Sequence, residues 1–236
     1  MSAAAANSGH RRAGAAKHIT RQDLELASEL SRFYADPLGF VLYVFPWGKQ
    51  GTRLSDETGP DDWQVEVLEK LGESVRNGMS VEDALPVLLA VASGHGIGKT
   101  ALIAWIILWF ISTRDFPQIV VTAGKKEQLT SKTWRELSKW NKMAINRHWF
   151  TWTATKLEHV LYPDLWFANA IPWSKNAPEN FAGTHEKHVL VIYDEASAID
   201  DVIWEVTDGA MTTPGAMWIA FGNPTKNSGR FFDCFN

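Results

Sequence analysis

Residues 91–105 read VASGHGIGKTALIAW: glycines at 94, 96 and 98, then Lys99 and Thr100, running into an unbroken apolar block. The continuous apolar run at 86–92 (PVLLAVA) predicts a parallel strand covered on both faces. The block that follows, 101–111, predicts a buried helix. A glycine loop between a strand and a helix is the setting in which backbone N–H groups and the positive helix end form an anion site. The glycines let the chain turn tightly and aim successive N–H groups inward. In this pattern Lys99 reaches the β- and γ-phosphates of a nucleotide, and the Thr100 hydroxyl ligates Mg2+. The phosphate cradle is expected to comprise Ser93, Gly94, His95, Gly96, Ile97, Gly98, Lys99, Thr100 and Ala101. The usual spacing places glycine six residues before the lysine, and Ser93 stands there instead.

Working outward, the pattern alternates. Residues 118–123 (QIVVTA), 188–193 (HVLVIY) and 216–221 (AMWIAF) read as further buried strands, and 126–147 as one long amphipathic helix. Between them, 149–170 shows short aromatic-rich strands with a turn at Pro163-Asp164. On the N-terminal side, Leu24, Leu26, Leu30 and Phe33 give helical spacing over 20–35, which Pro37 ends. The aromatic-rich segment DPLGFVLYVFPWG follows, broken by Pro46 and Gly48. Asp61 is placed to cap the helix DDWQVEVLEKLGESVRN, which Asn77-Gly78 stops. Strands alternating with helices predict an α/β fold, a mainly parallel central sheet flanked by helices on both faces. The expected division is a disordered tail over 1–19, an adenine-side helical segment over 20–85 and a nucleotide-binding core over 86–236.

Composition agrees with a folded domain: 45% hydrophobic and 21% charged over 236 residues. With a net charge of −4 the chain is no polycation, so nucleic-acid contact requires a local basic patch or assembly into a ring. One cysteine, Cys234, excludes an internal disulfide framework and fits a reducing compartment. The N-terminus, MSAAAANSGHRRAGAAKH, lacks the apolar core of a signal peptide. The most apolar run, 101–111, is too short to span a bilayer, so no membrane association is expected.

Three further motifs carry chemistry. HVLVIYDEA (188–196) is an apolar strand ending in two carboxylates: Asp194 at its tip suits Mg2+, and Glu195 suits orientation and deprotonation of an attacking water. IAFGNPT (219–225) places the amide of Asn223 at the carboxyl edge of the sheet, where open α/β sheets bind ligands; there it can sense the γ-phosphate. GPDDWQ (59–64) offers Gln64, whose amide can pair with an adenine edge, while Trp47 or another aromatic of YVFPWG can stack on the ring.

In this order and spacing, DPLGFVLYVFPWG, GPDDWQ, SGHGIGKT, TAGKKEQL, VLVIYDEA and AFGNPT resemble the ATPase domain of viral large terminase subunits, the motors that pump double-stranded DNA into tailed-phage procapsids. The resemblance covers residue 36 to the C-terminus. It implies a P-loop NTPase of the additional-strand, catalytic-glutamate type, with Glu195, Lys99 and Asn223 catalytic and Thr100 and Asp194 on the metal. Gln64 matches the adenine-reading glutamine, and Gly222-Asn223 the turn that couples hydrolysis to movement. TAGKKEQL resembles a segment whose helix faces DNA or a neighbour, with Lys125, Lys126 and Lys132 as a modest basic cluster. ATP and Mg2+ are the implied cofactors. The implied partners are double-stranded DNA, a homo-oligomeric ring on a portal and a small terminase subunit, in the host cytoplasm.

Two features depart from that family. Relatives often carry an arginine inside the phosphate loop, where this chain has His95. They also often have one shortly before the DE strand, where NFAGTHEKH supplies only His185 and Lys187; no arginine occurs between Arg147 and Arg230. Arg135, Arg147, Lys187 and Arg230 are the candidates for a charge acting on a neighbour's ATP. Full-length relatives carry a metal-dependent nuclease domain after the ATPase. GRFFDCFN closes this chain without a carboxylate cluster, so it reads as an isolated motor domain without DNA cleavage. The alternatives are a helicase-like or remodelling P-loop ATPase, which needs a second lobe, and a nucleotide-binding assembly module that hydrolyses poorly.

Overall fold

The computed structural model describes residues 19–79, 86–94, 96–174, 186–211 and 213–236. His95, His185 and nearly all of the N-terminal tail lie outside the described residues.

The chain begins with α1 (Arg21–Ser31), where Thr20 and Asp23 form a reciprocal capping box. The aromatic-rich segment, to which sequence pattern assigns no element, forms α2 (Pro37–Val44): Asp36 caps it by accepting from the Gly39 N–H, and proline at the first helical position has no N–H to waste. Next comes α3 (Asp62–Met79), which runs through Asn77 and Gly78 rather than stopping there. Strand β1 (Val87–Ala92) leads through the glycine loop into α4 (Lys99–Thr113). Apolar all round, α4 is the central buried helix, and it is sealed by the Trp109 indole N–H donating 2.7 Å to the Phe33 carbonyl.

The region expected as one helix over 126–147 is broken. A short α5 (Lys126–Gln128) passes into a π-helical turn, Leu129–Thr133, before α6 (Trp134–Met143). After β2 (Gln118–Ala123), the strands are β3 (Phe150–Trp152), β4 (Lys156–His159), β5 (Phe167–Ala170), β6 (Val189–Asp194) and β7 (Met217–Gly222). Helices α7 (Asp201–Ala210) and α8 (Arg230–Asp233) complete the order.

The strands run β1-β7-β6-β2-β5-β4-β3 across one sheet. The first five are mutually parallel, and β4 and β3 are antiparallel at one edge. The glycine-loop strand β1 is separated from the DE strand β6 by β7, the additional strand. β1 forms the other edge, which corrects the expectation of cover on both faces: Leu88 is 50% exposed. One face of the sheet packs on α4, α6 and the apolar sides of α1 to α3 in a single core. The opposite face packs on α7 and α8 around a stack of Tyr193 and Trp204, with ring centroids 4.2 Å apart. Registers Ala92↔Gly222, Asp194↔Phe221 and Ala123↔Asp194 align four strand ends. Ser93, Asn223, Glu195 and Gly124 therefore leave the sheet side by side.

Candidate nucleotide-binding site

Those four exits build the site. Gly96 (φ +74°) and Gly98 (φ +88°) take up left-handed backbone conformations that a side chain would strain. A Cβ at Gly98 would also lie 2.9 Å from the Gln64 amide nitrogen, whereas Gly94 and Gly96 face open space. Ser93 extends the ladder, its N–H donating 3.0 Å to the Gly222 carbonyl. Its buried hydroxyl has no hydrogen-bond partner among the described residues.

Lys99 is buried at the first position of α4. Its ammonium donates to the Ser93 carbonyl (3.2 Å), the Gly94 carbonyl (2.9 Å) and Asn223 Oδ1 (3.2 Å). Three donors thus meet three acceptors. The glycine loop and the GN turn, 124 residues apart, are joined through this one cation. An arriving phosphate would compete for the same protons. Thr100, half-buried, follows on the helix.

Asp194 is 1% exposed at the tip of β6. Its Oδ2 accepts from Thr133 Oγ1 at 2.5 Å and from Gln128 Nε2 at 3.3 Å. Burial raises its pKa above the ordinary carboxylate value; the Thr133 and Gln128 hydrogen bonds pull the other way, and the neighbouring Glu195 charge adds to the rise. Gln128 precedes the π-helical turn and Thr133 is its last residue. That extra residue per turn is what faces both side chains toward one carboxylate, as insertions of this kind often do at functional sites. Neither residue stands out in the sequence, because nothing local marks a π turn.

Glu195 is one of two non-glycine residues among those described with positive φ (55°, with ψ 46°). Its carboxylate makes no hydrogen bond or ion pair among the described residues, and it is half-buried. The turn is clamped on both sides: a Cβ at Gly124 would meet Ala198 Cβ at 2.6 Å, and one at Gly222 would meet the Phe231 ring at 3.0 Å and the Ala196 nitrogen at 3.2 Å. TAG and GN therefore need their glycines to hold the DE turn between them.

On the base side, Gln64 and Trp47 both have partners within the chain. Gln64 is buried; its Oε1 accepts from the Asp61 N–H (2.9 Å), and its Nε2 donates to the Gly98 carbonyl (3.2 Å). It acts as half of a capping box and ties α3 to the glycine loop. Trp47 packs on Phe45, Trp105 and Trp140 with its N–H on the Val41 carbonyl, so its ring belongs to the core. The aromatic beside the loop is instead Trp63, in a cavity of about 360 Å3 lined also by Val67, Val91, Ser93 and Ile97.

Of the four basic candidates, Arg230 is near the DE turn but paired with Asp208 at 2.8 Å. Lys187 lies just before β6, at the amino edge of the sheet, opposite the loop. Arg135 and Arg147 line a separate groove. Among the described residues, no group of three or more His, Cys, Asp or Glu gathers to hold a metal.

No protein-family model matches the chain. A curated relative, "Probable terminase, large subunit" of Enterobacteria phage P7, is 29% identical over 149 residues, covering 61% of this chain. The chain spans about 30% of that relative's length. Among solved structures, the large terminase of bacteriophage HK97 is similar with a TM-score of 0.57 at 18% identity, over 82% of this chain and 38% of that one. A mutant ATPase domain of the Thermus phage P74-26 large terminase scores 0.46 at 16% identity, over 75% and 69%. By its motifs, by a sequence relative and by its fold, the chain resembles the large terminase subunits of bacteriophages.

Proposed function

We propose that this chain is the ATP-hydrolysing part of a motor that drives double-stranded DNA into a viral procapsid. The observation that carries the reading is the convergence of Lys99, Asn223, Asp194 and Glu195 at adjacent strand ends, with the Lys99 ammonium bridging the glycine loop to Asn223. The loop amides and Lys99 hold the triphosphate, and the cavity beside Trp63 takes the base. Gln64 fixes the loop from behind and reads no base edge while it does so.

The donor set fits Mg2+. One hydroxyl (Thr100) and one buried carboxylate (Asp194) leave most positions to phosphate oxygens and water, as this cation prefers. When bound, it neutralises charge on the β- and γ-phosphates. Thr133 and Gln128 are positioning residues that orient the carboxylate of Asp194. Glu195, whose carboxylate has no competing partner among the described residues, orients the attacking water and accepts its proton. A γ-phosphate drawing Lys99 off Asn223 breaks this tie between the glycine loop and the GN turn, which is how hydrolysis reaches the DNA.

A ring on the portal completes the proposal. Among the described residues none of Arg135, Arg147, Lys187 and Arg230 is paired with the loop of its own chain, and in this reading a neighbour supplies a charge to the γ-phosphate. An isolated chain hydrolyses slowly for that reason, and turnover rises with its concentration or on assembly; a pure nucleotide-binding module would show no such rise. The test is Glu195→Gln: nucleotide affinity is retained while turnover falls about 10²- to 10⁴-fold. Wild-type turnover in that variant would remove Glu195 from the chemistry.

A further inference from the structure

A second site lies away from the nucleotide loop, in a groove of about 810 Å3 between the 46–53 loop, one face of α6 and the end of β3. Its lining holds Lys49, Arg53, Arg135, Lys139, Lys142 and Arg147 and no acidic side chain, in a chain whose net charge is −4. Arg135, Lys139 and Lys142 stand at i, i+4 and i+7, the spacing of a single helical face. Lys49 and Arg53 come from a loop more than eighty residues earlier. Among the described residues Lys139 is paired, with Glu136 at 2.8 Å. The other five make no ion pair or hydrogen bond through their charged groups among the described residues, and all five are exposed. Trp152 (37% exposed) and Ile145 (44%) line the same groove.

Like charges gathered from separate elements repel one another, and solvating one helix face does not require a loop to join it. Such an arrangement suits a polyanion that neutralises several cations at once.

We infer that this groove binds the phosphodiester backbone of double-stranded DNA. The identity of the polyanion rests on the motor reading above, whereas the groove itself does not. The contact is to phosphates, so it is independent of base sequence and steeply dependent on salt. It grips the duplex away from the nucleotide loop, leaving the loop, Asp194 and Glu195 to the chemistry.

The test uses the 236-residue chain and a fluorescent duplex of about 30 base pairs, with affinity measured across a salt series. The triple variant Lys49→Gln, Arg53→Gln, Lys142→Gln changes side chains that play no part in the nucleotide site. Its affinity at about 0.1 M salt falls tenfold or more, and the slope of log K against log salt shrinks by roughly three, at about 0.9 for each phosphate left unneutralised. ATP turnover without DNA and the melting temperature stay as in the wild type. Unchanged DNA affinity and slope in a variant that melts like the wild type would overturn the groove. The same holds if the variant lost only self-association, which would make the groove a contact with a neighbouring copy. If the wild-type chain bound no duplex at any salt, the motor reading would fall first and the groove's ligand with it.

Discussion

Glu195 holds a backbone conformation that costs a residue with a side chain about 1–3 kcal/mol, and it does so at the turn where the proposed mechanism places the reacting water. The adjacent Asp194 is also held at a cost, since a buried carboxylate is destabilising in its charged form. Its folded pKa is raised above the ordinary 3.8. The unfolded chain therefore gives up this proton first, so stability is lost as pH rises from the ordinary value through the raised one, and the loss remains in full above it. Asp194→Asn keeps the shape and an acceptor for Thr133 while removing the charge. At pH 7 its melting temperature rises by a few degrees, on the order of 1 kcal/mol, while ATP turnover falls at least about a hundredfold. A variant that melts lower than wild type by calorimetry would show that the Thr133 and Gln128 hydrogen bonds outweigh the burial.

Among the elements, the break between α5 and α6 matters most. A regular helix over the same residues would turn Thr133 away from the sheet; the π-helical turn Leu129–Thr133 lets Gln128 and Thr133 reach one oxygen together. Deleting Ser131, an exposed residue of that turn, restores regular α spacing. The expected outcome is a folded chain of unchanged helical content whose turnover drops by about a hundredfold, the scale of a small misplacement in a catalytic set. Full turnover after the deletion, with circular dichroism unchanged, would show that Asp194 does not depend on the turn.

For the whole molecule, stability against acid is set partly at the amino edge of the sheet, far from the chemistry. His188 is pushed down from 6.5 to about 4, chiefly by burial and then by the positive charges of Arg114 and Lys187; Asp115 opposes the shift and the Tyr34 ring packs edge-on. Arg114 is itself buried against the rings of Tyr34, Trp109 and Phe110, each 4.2 Å away, which ties the turn after α1 to the end of α4. The unfolded chain binds a proton at this histidine near pH 6.5, and the folded chain does so only near 4. Stability is therefore lost as pH falls across that window. His188→Asn flattens this part of the melting-temperature profile between those pH values; a profile as steep as the wild type's would assign the acid sensitivity elsewhere.

The sequence alone determined what is local or periodic. The run 118–123 forms β2 residue for residue, β6 and β7 lie within one position of their apolar runs, and the order of strands and helices led to a mainly parallel sheet. Lys99 and Asp194 fall at the ends of those elements because a glycine loop and a strand tip are written in adjacent residues. What only the tertiary structure decided are the pairings between distant segments. Thr133 on Asp194, Lys99 on Asn223, Trp63 rather than Trp47 beside the loop, and the meeting of Lys49 and Arg53 with α6 all belong here. Periodicity reports which side of an element is buried, but not against what. A buried carboxylate, a bridging ammonium and a groove of clustered cations acquire their chemistry from neighbours that the fold alone brings within reach.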